Sequence, residues 1–433
     1  MVSISRSNVI ANYLGAAVVG LAPVLALPRF RAALGDTEFG LLTIVLLLQS
    51  LVSILDVGAS QSLVRVVANM GPGSMERVGT MAHPILRRAE RAYWAVGLVF
   101  AVAMLAVHPF LAQYWFHLEV HLTQIRWTLC GAGLLVLCQF PGLFYRSLLI
   151  GAEQQVKLNQ IMATAAVCRH GGAVVLVAWD PKLENYVLWN AVILALETLW
   201  RRSVAWRYIP AIPEVETDAD ARNGGKLSQF NREVLLMSLA AWMGAVTTQT
   251  DRLMVSWLAS VEDLGRYTLA SYVSVGVLQL LYPVIQAVWP GAVRSSGDAE
   301  ATRRLQKRLY QLIFLAIGII ALVYAVAGHW LLGLWLHGTG LVNAVEPIVN
   351  VLLVGTALNA LYNVGYLNWL AHGAAQTILR VNLLSFMVVI VVTPFAIQRW
   401  GAAGAALGWV CSAAVGLLCS LFLTVPKRQQ GHV

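Results

Sequence analysis

Long apolar runs recur along the whole chain, and they constrain its fold more than any other feature. A helix that crosses a bilayer needs about 20 apolar residues, because the hydrocarbon core is about 30 Å thick and each helical residue rises about 1.5 Å. Segments of this length lie between polar, Pro or Gly breaks throughout the sequence. They predict twelve spans, at 8–31, 39–60, 92–115, 124–150, 160–180, 185–206, 232–258, 266–289, 309–336, 344–371, 377–397 and 402–424.

The composition agrees with this pattern. Of the 433 residues, 58% are hydrophobic and only 12% are charged, and the mean hydropathy is +0.69. A soluble domain carries about a quarter of charged residues. The sequence therefore predicts an all-α polytopic membrane protein, in which the first apolar segment is a retained helix rather than a cleaved signal.

Lys and Arg are distributed unevenly between the two sides of the predicted membrane. An even number of helices puts both termini on one side, and cytoplasmic loops carry an excess of Lys and Arg. With cytoplasmic termini, 22 of the 30 basic residues fall on the cytoplasmic side, seven on the other side, and Arg169 in mid-span. This asymmetry explains the net charge of +9 without a basic groove, so no nucleic-acid partner is expected.

Three segments of the first half recur in the second half in the same order. The matches align Gly40 with Gly265, Trp115 with Trp335, and Gly151 with Gly373, at offsets of 220 to 225 residues. Such repeats with even helix numbers share one orientation and are related by an axis along the membrane normal. The sequence predicts two pseudo-symmetric six-helix lobes around a central cavity, comprising an N-terminal lobe 1–209, a cytoplasmic linker 210–231 and a C-terminal lobe 232–433.

The motifs "ALGDTEFGLL", "FPGLFYRSLLIGAEQQVKLNQ" and "TQTDRLMVSWLASVEDLGRYTLA", with the two-lobe layout, point to a known family. The chain resembles the oligosaccharide (O-antigen or exopolysaccharide) flippases of the MATE-like flippase superfamily. The resemblance implies movement of an undecaprenyl-diphosphate-linked oligosaccharide from the cytoplasmic to the periplasmic leaflet by alternating access. It also implies a bacterial plasma (inner) membrane location, contact with membrane lipid, and a polymerase and other polysaccharide assembly proteins as partners.

Arg169 is the basic residue predicted deepest in the membrane, near the middle of the fifth span. A charge at the bilayer centre costs at least about 2.5 kcal/mol, so this guanidinium should face a polar cavity or a buried partner. A substrate with a diphosphate needs fixed cations at depth. We therefore predict that Arg169 binds the anionic part of the substrate; the alternative is an ion pair with an acid on a neighbouring helix.

Asp251 and Arg252 lie side by side in the seventh span, about 10 Å from its outer end. Adjacent helical residues point about 100° apart, so each of these charges needs its own partner. Arg252 is predicted to contact substrate, with a structural contact between lobes as the alternative. Asp251 is predicted to be a structural acid, with ion or proton coupling as the alternative.

Three further candidates lie near predicted cytoplasmic helix ends. Arg146 and Tyr145, in the family-like motif of the fourth span, are predicted to contact the substrate headgroup, although a snorkelling anchor also explains Arg146. Asp56 at the end of the second span is predicted to pair with Arg65 or another cytoplasmic Arg, with coupling as the alternative.

The tenth span carries a polar face. Asn359, Asn363 and Tyr366 recur at spacings of four and three residues, which places them on one side of a helix. They are predicted to bind sugar, or alternatively to hydrogen-bond neighbouring helices. In the sixth span, Glu197 precedes Arg201 by four residues, the favourable order for an interfacial ion pair.

Other functional classes fit the sequence less well. The chain has no phosphate-binding Gly-rich loop, metal-ligand cluster or nucleophile constellation, so an enzyme is not expected. A MATE-type drug or cation antiporter would need cavity carboxylates, whereas the one mid-span charge is Arg169. A lipid II-type flippase is closer chemically, but that family usually has two further C-terminal helices. A membrane scaffold would not need polar residues at depth.

No cofactor is predicted. Because the sequence has no ATPase domain, energy must come from an H+ or Na+ gradient, the membrane potential or consumption of product outside. The sequence leaves these sources open.

Overall fold

The computed structural model describes the chain over most of its length and shows helices joined by short connections. Within this part of the chain no strand occurs. The described residues are 6–56, 59–60, 63–64, 67, 75–117, 121–208, 224–295, 299–337 and 339–423.

Two long helical stretches are broken at glycines. Arg6–Leu55 is interrupted at Gly35 (φ 77°, ψ 178°), and Ala375–Phe422 at Gly401 (φ 59°, ψ −141°). Positive φ is strained for side chains with a Cβ, so glycine allows the chain to reverse between two packed helices at each point. Each stretch therefore contains two helices, and the described part of the chain contains twelve.

The helices are α1 (6–34), α2 (36–55), α3 (Met75–Phe110), α4 (Leu122–Gly151), α5 (Gln155–Trp179), α6 (Leu183–Tyr208), α7 (Gly224–Leu258), α8 (Val261–Ser295), α9 (Ala299–Leu336), α10 (Thr339–Ala371), α11 (375–400) and α12 (402–422). A π-helical turn, Leu111–Trp115, continues α3.

Each predicted span overlaps one of these helices, and the predicted all-α polytopic class is confirmed. Seven described stretches are long and apolar enough to cross a membrane, and two of these contain the glycine-broken pairs. The main differences are at N-terminal ends, where α3, α7 and α9 begin 8 to 17 residues before the predicted spans. A hydropathy pattern reports only the lipid-facing part of a helix and misses polar turns that continue it into water.

The chain divides into two compact units, Met1–Arg222 and Asn223–Val433, with six of the described helices in each. In the first unit α4 packs against α3 and α6, and in the second α10 packs against α8 and the α11–α12 stretch. Of the predicted linker 210–231, residues 210–223 lie outside the described residues. Residues 224–231 already belong to α7.

Apolar side chains cover much of the outside of the helices. On α9, Phe314, Leu322 and Val326 are 65–81% exposed, whereas Ile313 on the opposite side is fully buried. Large exposed aliphatic and aromatic residues along a whole helix are typical of a surface that contacts lipid.

Close packing of α12 on α11 depends on Gly404. A Cβ built on Gly404 would lie 2.0 Å from the carbonyl oxygen of Ala396, an atom of the α11 backbone. We expect Gly404→Ala to destabilise the protein by about 2 kcal/mol or more, because the backbone must move to admit the methyl group. Thermal unfolding of the purified protein in detergent would measure this loss.

Gly318 in α9 is the matched control for this change. A Cβ there meets nothing within 4 Å, so Gly318→Ala should leave stability unchanged or raise it by about 0.5 kcal/mol through helix propensity. Equal melting temperatures for Gly404→Ala and Gly318→Ala would contradict the close packing of α12 on α11 at Gly404.

Candidate functional site

The second unit contains a partly open cavity of about 520 Å³ between α7, α8, α10, α11 and α12, with many polar side chains in its lining. Most of its polar lining is neutral. Among the described lining residues, Arg252 is the one base and Asp251 the one acid. The amide and hydroxyl side chains in the lining are those of Thr247, Thr248, Gln249, Ser271, Ser274, Gln279, Asn359, Tyr362, Asn363, Tyr366, Asn382, Ser385 and Ser412.

Asp251 and Arg252 are adjacent on α7 but have different roles in the lining of the cavity. The buried carboxylate of Asp251 accepts hydrogen bonds from the hydroxyl of Tyr267 on α8 and from the backbone N–H of Arg252. Tyr267 is fully buried, so this acid joins α7 to α8 inside the unit. The half-buried Arg252 lines the cavity and supplies its positive charge.

The predicted polar face of α10 forms one side of the cavity. Asn363 donates through Nδ2 to the backbone oxygen of Asn359 at 2.8 Å and to its Oδ1 at 3.0 Å. The rings of Tyr362 and Tyr366 meet edge to face, with centroids 5.9 Å apart. Helix geometry thus presents two amides and two aromatic rings together, a combination that suits sugar hydroxyls and sugar faces.

Two buried donor groups in the lining have no hydrogen-bond partner among the described residues. They are the hydroxyl of Tyr362 and Nε1 of Trp409 on α12. A buried polar group without a partner costs about 1–3 kcal/mol. Both donor atoms are shielded from solvent, so a ligand in the cavity would reach them only after the surrounding side chains move.

The sequence did not predict that side chains of α8, α11 and α12 line the cavity. On α8, Ser271, Ser274 and Gln279 recur at near-helical spacing, and Ser274 hydrogen-bonds Thr356 of α10. Asn382 on α11 donates to the backbone oxygen of Ala240 at 2.8 Å. The polar spacing on α8 was the available signal, but small hydroxyls in apolar helices are also common packing residues.

In the first unit, Arg169 lies half-buried in the middle of α5. Its Nε is buried without a hydrogen-bond partner, and its Nη2 lies 3.5 Å from Nε2 of His170. No carboxylate forms an ion pair with Arg169 in the part of the chain that the structure describes. Its guanidinium therefore retains donors that an anion can use.

A buried ion pair lies near Arg169. Glu197 and Arg201 of α6 pair as predicted, but both are less than 10% exposed, so the pair is buried rather than interfacial. Arg201 also donates to the backbone oxygen of Gly142 at 3.4 Å. Arg146 and Arg169 both act on Arg201 electrostatically. Glu197 thus neutralises Arg201, the buried guanidinium of α6.

The remaining candidates lie elsewhere in the first unit. Arg146 is exposed on α4, while the adjacent Tyr145 is fully buried and donates its hydroxyl to Glu90. The buried carboxylate of Asp56 accepts from the hydroxyls of Tyr93 and Ser60. Its predicted partner Arg65 lies outside the described residues.

The structure brings five of the nine predicted site residues together at one cavity in the second unit. These five are Asp251, Arg252, Asn359, Asn363 and Tyr366. Arg169, Arg146, Tyr145 and Asp56 lie in the first unit. Because the two groups belong to separate units, each is described by itself.

Two units of six helices, with several stretches long and apolar enough to span a bilayer, define the class of polytopic α-helical membrane proteins. A Shigella flexneri protein named "Putative O-antigen transporter" is 21% identical over an alignment of 415 residues that covers 93% of each chain. No protein-family model matches the sequence.

Solved structures share the fold along nearly the whole chain. The lipid II flippase MurJ in an inward closed conformation has a TM-score of 0.72 at 12% identity, covering 98% of this chain and 88% of that one. An inward-facing multidrug resistance MATE family transporter of the MOP superfamily has a TM-score of 0.64 at 13% identity, covering 95% and 94%. The predicted resemblance to the MATE-like flippase superfamily is therefore confirmed at the level of the fold, which this chain shares with these structures.

Proposed function

We propose that this protein is a flippase that moves undecaprenyl-diphosphate-linked oligosaccharide from the cytoplasmic to the periplasmic leaflet of the bacterial inner membrane by alternating access. The observation that carries this proposal is the cavity of the second unit, where Arg252 and the hydrogen-bonded carboxylate of Asp251 lie among neutral hydrogen-bonding and aromatic side chains. The similarity to a protein named as an O-antigen transporter supports it.

The cavity suits an oligosaccharide. Its volume of about 520 Å³ lies within the usual range of ligand pockets, which is about 300–1,000 Å³. Asn359 and Asn363 offer both donors and acceptors, and the rings of Tyr362 and Tyr366 offer aromatic surface. Neutral groups of this kind replace the water around sugar hydroxyls without the cost of burying further charge.

Cations in both units suit the diphosphate. Arg252 faces the cavity of the second unit, and Arg169 is an incompletely hydrogen-bonded guanidinium in the middle of α5. Arg146 is exposed on α4, in electrostatic range of Arg201. Arginine binds phosphate oxygens through paired N–H groups, so Arg252 in the second unit, and separately Arg169 and Arg146 in the first, are each proposed to bind a diphosphate group.

A MATE-type exchange of drugs or cations is less well supported. The one carboxylate among the described lining residues, Asp251, already accepts hydrogen bonds from Tyr267 and from the α7 backbone. A cationic substrate would also meet Arg252 in the same wall. The charge of the cavity therefore favours an anionic substrate.

Lipid II is the second candidate substrate class, because the fold resembles a lipid II flippase along 98% of this chain. Both classes carry sugar on a lipid diphosphate and would use the same cations.

For either substrate we propose a transporter rather than an enzyme. Both termini are proposed to lie in the cytoplasm, as the distribution of Lys and Arg predicts. A polymerase and other polysaccharide assembly proteins are the proposed partners.

Transbilayer movement in reconstituted vesicles tests the proposal. Vesicles with the purified protein should move fluorescent undecaprenyl-diphosphate oligosaccharide faster than protein-free vesicles, and Arg169→Ala should slow movement by at least about tenfold, as expected for loss of a charge-assisted hydrogen bond. A parallel assay with lipid II distinguishes the two substrate classes.

Three outcomes would correct the proposal. Correctly inserted wild-type protein that moves neither lipid excludes a flippase. Movement of lipid II alone assigns the second substrate class. Full activity of Arg169→Ala removes that residue from the site while leaving the flippase in place.

A further inference from the structure

A second polar cluster lies in the first unit, where α3, α4 and α6 meet, outside the sites proposed for translocation. Its centre is the carboxylate of Glu90 on α3, a side chain that is only 8% exposed. We call it the Glu90 cluster. Its other members are Arg87, Tyr145, Arg202 and Trp206.

Four side chains donate hydrogen bonds to Glu90. Its Oε1 accepts from the hydroxyl of Tyr145 at 2.6 Å, from Nε of Arg202 at 3.0 Å and from Nε1 of Trp206 at 3.3 Å. Its Oε2 accepts from Nη1 of Arg87 at 2.9 Å. A carboxylate with this many donors is fully satisfied and holds its partners in fixed positions.

The side chains of the two arginines of the cluster are partly exposed to solvent. Their side chains are 42% (Arg87) and 47% (Arg202) exposed, although each donates one N–H to the buried Glu90. A guanidinium has five N–H donors, so each retains donors that can bind a ligand. Arg87 also lies over the ring of Trp206, 3.9 Å from its centroid, which fixes the plane of its guanidinium.

The cluster carries more positive than negative charge. Two guanidinium groups share one carboxylate, and Arg88 and Arg91 are exposed next to them on α3. The single negative charge of Glu90 therefore does not neutralise the arginines of this patch. An anion from outside the protein would balance the remaining positive charge.

The position of the cluster suggests where that anion comes from. Arg87 lies five residues before the predicted span 92–115 of α3, and Arg202 lies six residues before the end of α6 at Tyr208. The distribution of Lys and Arg places these helix ends at the cytoplasmic surface. The indoles of Trp94 and Trp206 lie in the same region, as expected where lipid headgroups meet a protein.

We propose that Arg87 and Arg202 together bind the phosphate of a membrane lipid at the cytoplasmic rim of the first unit. Glu90 and Tyr145 act as positioning residues that hold the two guanidinium groups toward one phosphate. Paired arginines bind phosphate through parallel N–H···O contacts, which a single lysine would not reproduce. The site does not depend on translocation, and its ligand is either a bulk anionic phospholipid or the diphosphate of a lipid-linked substrate.

Native mass spectrometry of the full-length protein in detergent tests this proposal. The probes are phosphatidylglycerol, undecaprenyl diphosphate, inorganic phosphate, and diacylglycerol as a lipid without phosphate. We expect at least one phosphate-bearing lipid to be retained at concentrations where diacylglycerol is not. The double variant Arg87→Gln/Arg202→Gln should weaken that retention by at least about tenfold, because two charge-assisted contacts are lost.

The matched control removes the same charge from another exposed surface. Arg303→Gln/Arg304→Gln on α9 should change retention by less than about twofold, since exposed charges act only through the screened overall potential. If both double variants weaken binding equally, binding is non-specific and the proposal is wrong. Equal retention by wild type and Arg87→Gln/Arg202→Gln, or no difference between phosphate-bearing lipids and diacylglycerol, would also overturn it.

The probes separate the sources of the phosphate. Retention of phosphatidylglycerol supports a bulk phospholipid, and retention of undecaprenyl diphosphate alone supports the substrate lipid. Displacement of either lipid by equimolar inorganic phosphate would overturn the assignment to a lipid.

If the double variant does not fold, a single variant still tests the proposal. Arg87→Lys keeps the charge but loses the paired donors of the guanidinium and most of its stacking on Trp206. We expect it to elute as folded protein and to retain the lipid less well than wild type, and wild-type retention by Arg87→Lys would count against the paired-arginine geometry.

Discussion

Replacing Arg252 by Gln is expected to slow the movement of lipid-linked oligosaccharide by about 10- to 100-fold while the protein stays folded. Arg252 is the one base among the described residues that line the cavity of the second unit, and it is half-buried there. A charge-assisted hydrogen bond contributes about 1.5–3 kcal/mol, and each 1.4 kcal/mol corresponds to about a tenfold change. Gln is shorter and uncharged but can still donate a neutral hydrogen bond.

Arg252→Lys should fall between wild type and Arg252→Gln, because lysine keeps the charge but lacks the planar pair of donors that matches a phosphate. The measurement is the initial rate of movement in vesicles with equal amounts of inserted protein. A wild-type rate for Arg252→Gln would exclude Arg252 from substrate binding and would weaken the cavity of the second unit as the site.

The neighbouring Asp251 provides the control for this experiment. Its carboxylate accepts hydrogen bonds from the Tyr267 hydroxyl and the Arg252 backbone N–H, and an Asn side chain can still accept through its one oxygen. If Asp251 is structural, Asp251→Asn should affect transport less than Arg252→Gln does. If imposed H+ or Na+ gradients accelerate wild type but not Asp251→Asn, the acid couples transport to the ion instead.

Replacing Glu197 by Gln is expected to destabilise the protein by about 3 kcal/mol or more. Glu197 neutralises Arg201 where both side chains are less than 10% exposed, and Nε of Arg201 already has no hydrogen-bond partner among the described residues. Removing one partner of a buried pair leaves an uncompensated charge, which typically costs about 3–5 kcal/mol. Repulsion from Arg146 and Arg169, which both act on Arg201, adds to this cost.

Glu300→Gln is the matched control, because Glu300 and Arg304 of α9 form an ion pair with the same order and spacing. Their side chains are 79% and 66% exposed, and the N–O distance is 3.7 Å. An exposed pair contributes about 0–1 kcal/mol, so Glu300→Gln should leave the melting temperature in detergent nearly unchanged. Similar losses in the two variants would show that Glu197 and Arg201 are not buried as the structure places them.

The same two pairs show the limit of reasoning from spacing. Glu197–Arg201 and Glu300–Arg304 both have the acid four residues before the base. Spacing predicts that each pair forms but contains no information on what packs over it. Burial of the first pair arises from α4, where the backbone oxygen of Gly142 contacts Arg201, and this neighbour is distant in sequence.

Neighbouring residues on α4 show a second limit. Arg146 and Tyr145 were predicted to act together near the headgroup, yet Arg146 is exposed while Tyr145 is fully buried against Glu90. Adjacent helical residues point about 100° apart, so they commonly face different surroundings. Because α4 is apolar on most of its circumference, its sequence has no strong periodicity that would show which side is buried.

The sequence by itself determined the number, order and approximate extent of the helices, since a membrane span is a local property of about 20 consecutive residues. It also placed Asn359, Asn363 and Tyr366 on one face of α10, because helical periodicity is local as well. Only the tertiary structure decided that Tyr362, Asn382 and Trp409 share a cavity with that face, and that Glu90 joins α3, α4 and α6. Which helices face one another depends on the packing of many weak contacts between distant segments, and no short stretch of sequence carries that information.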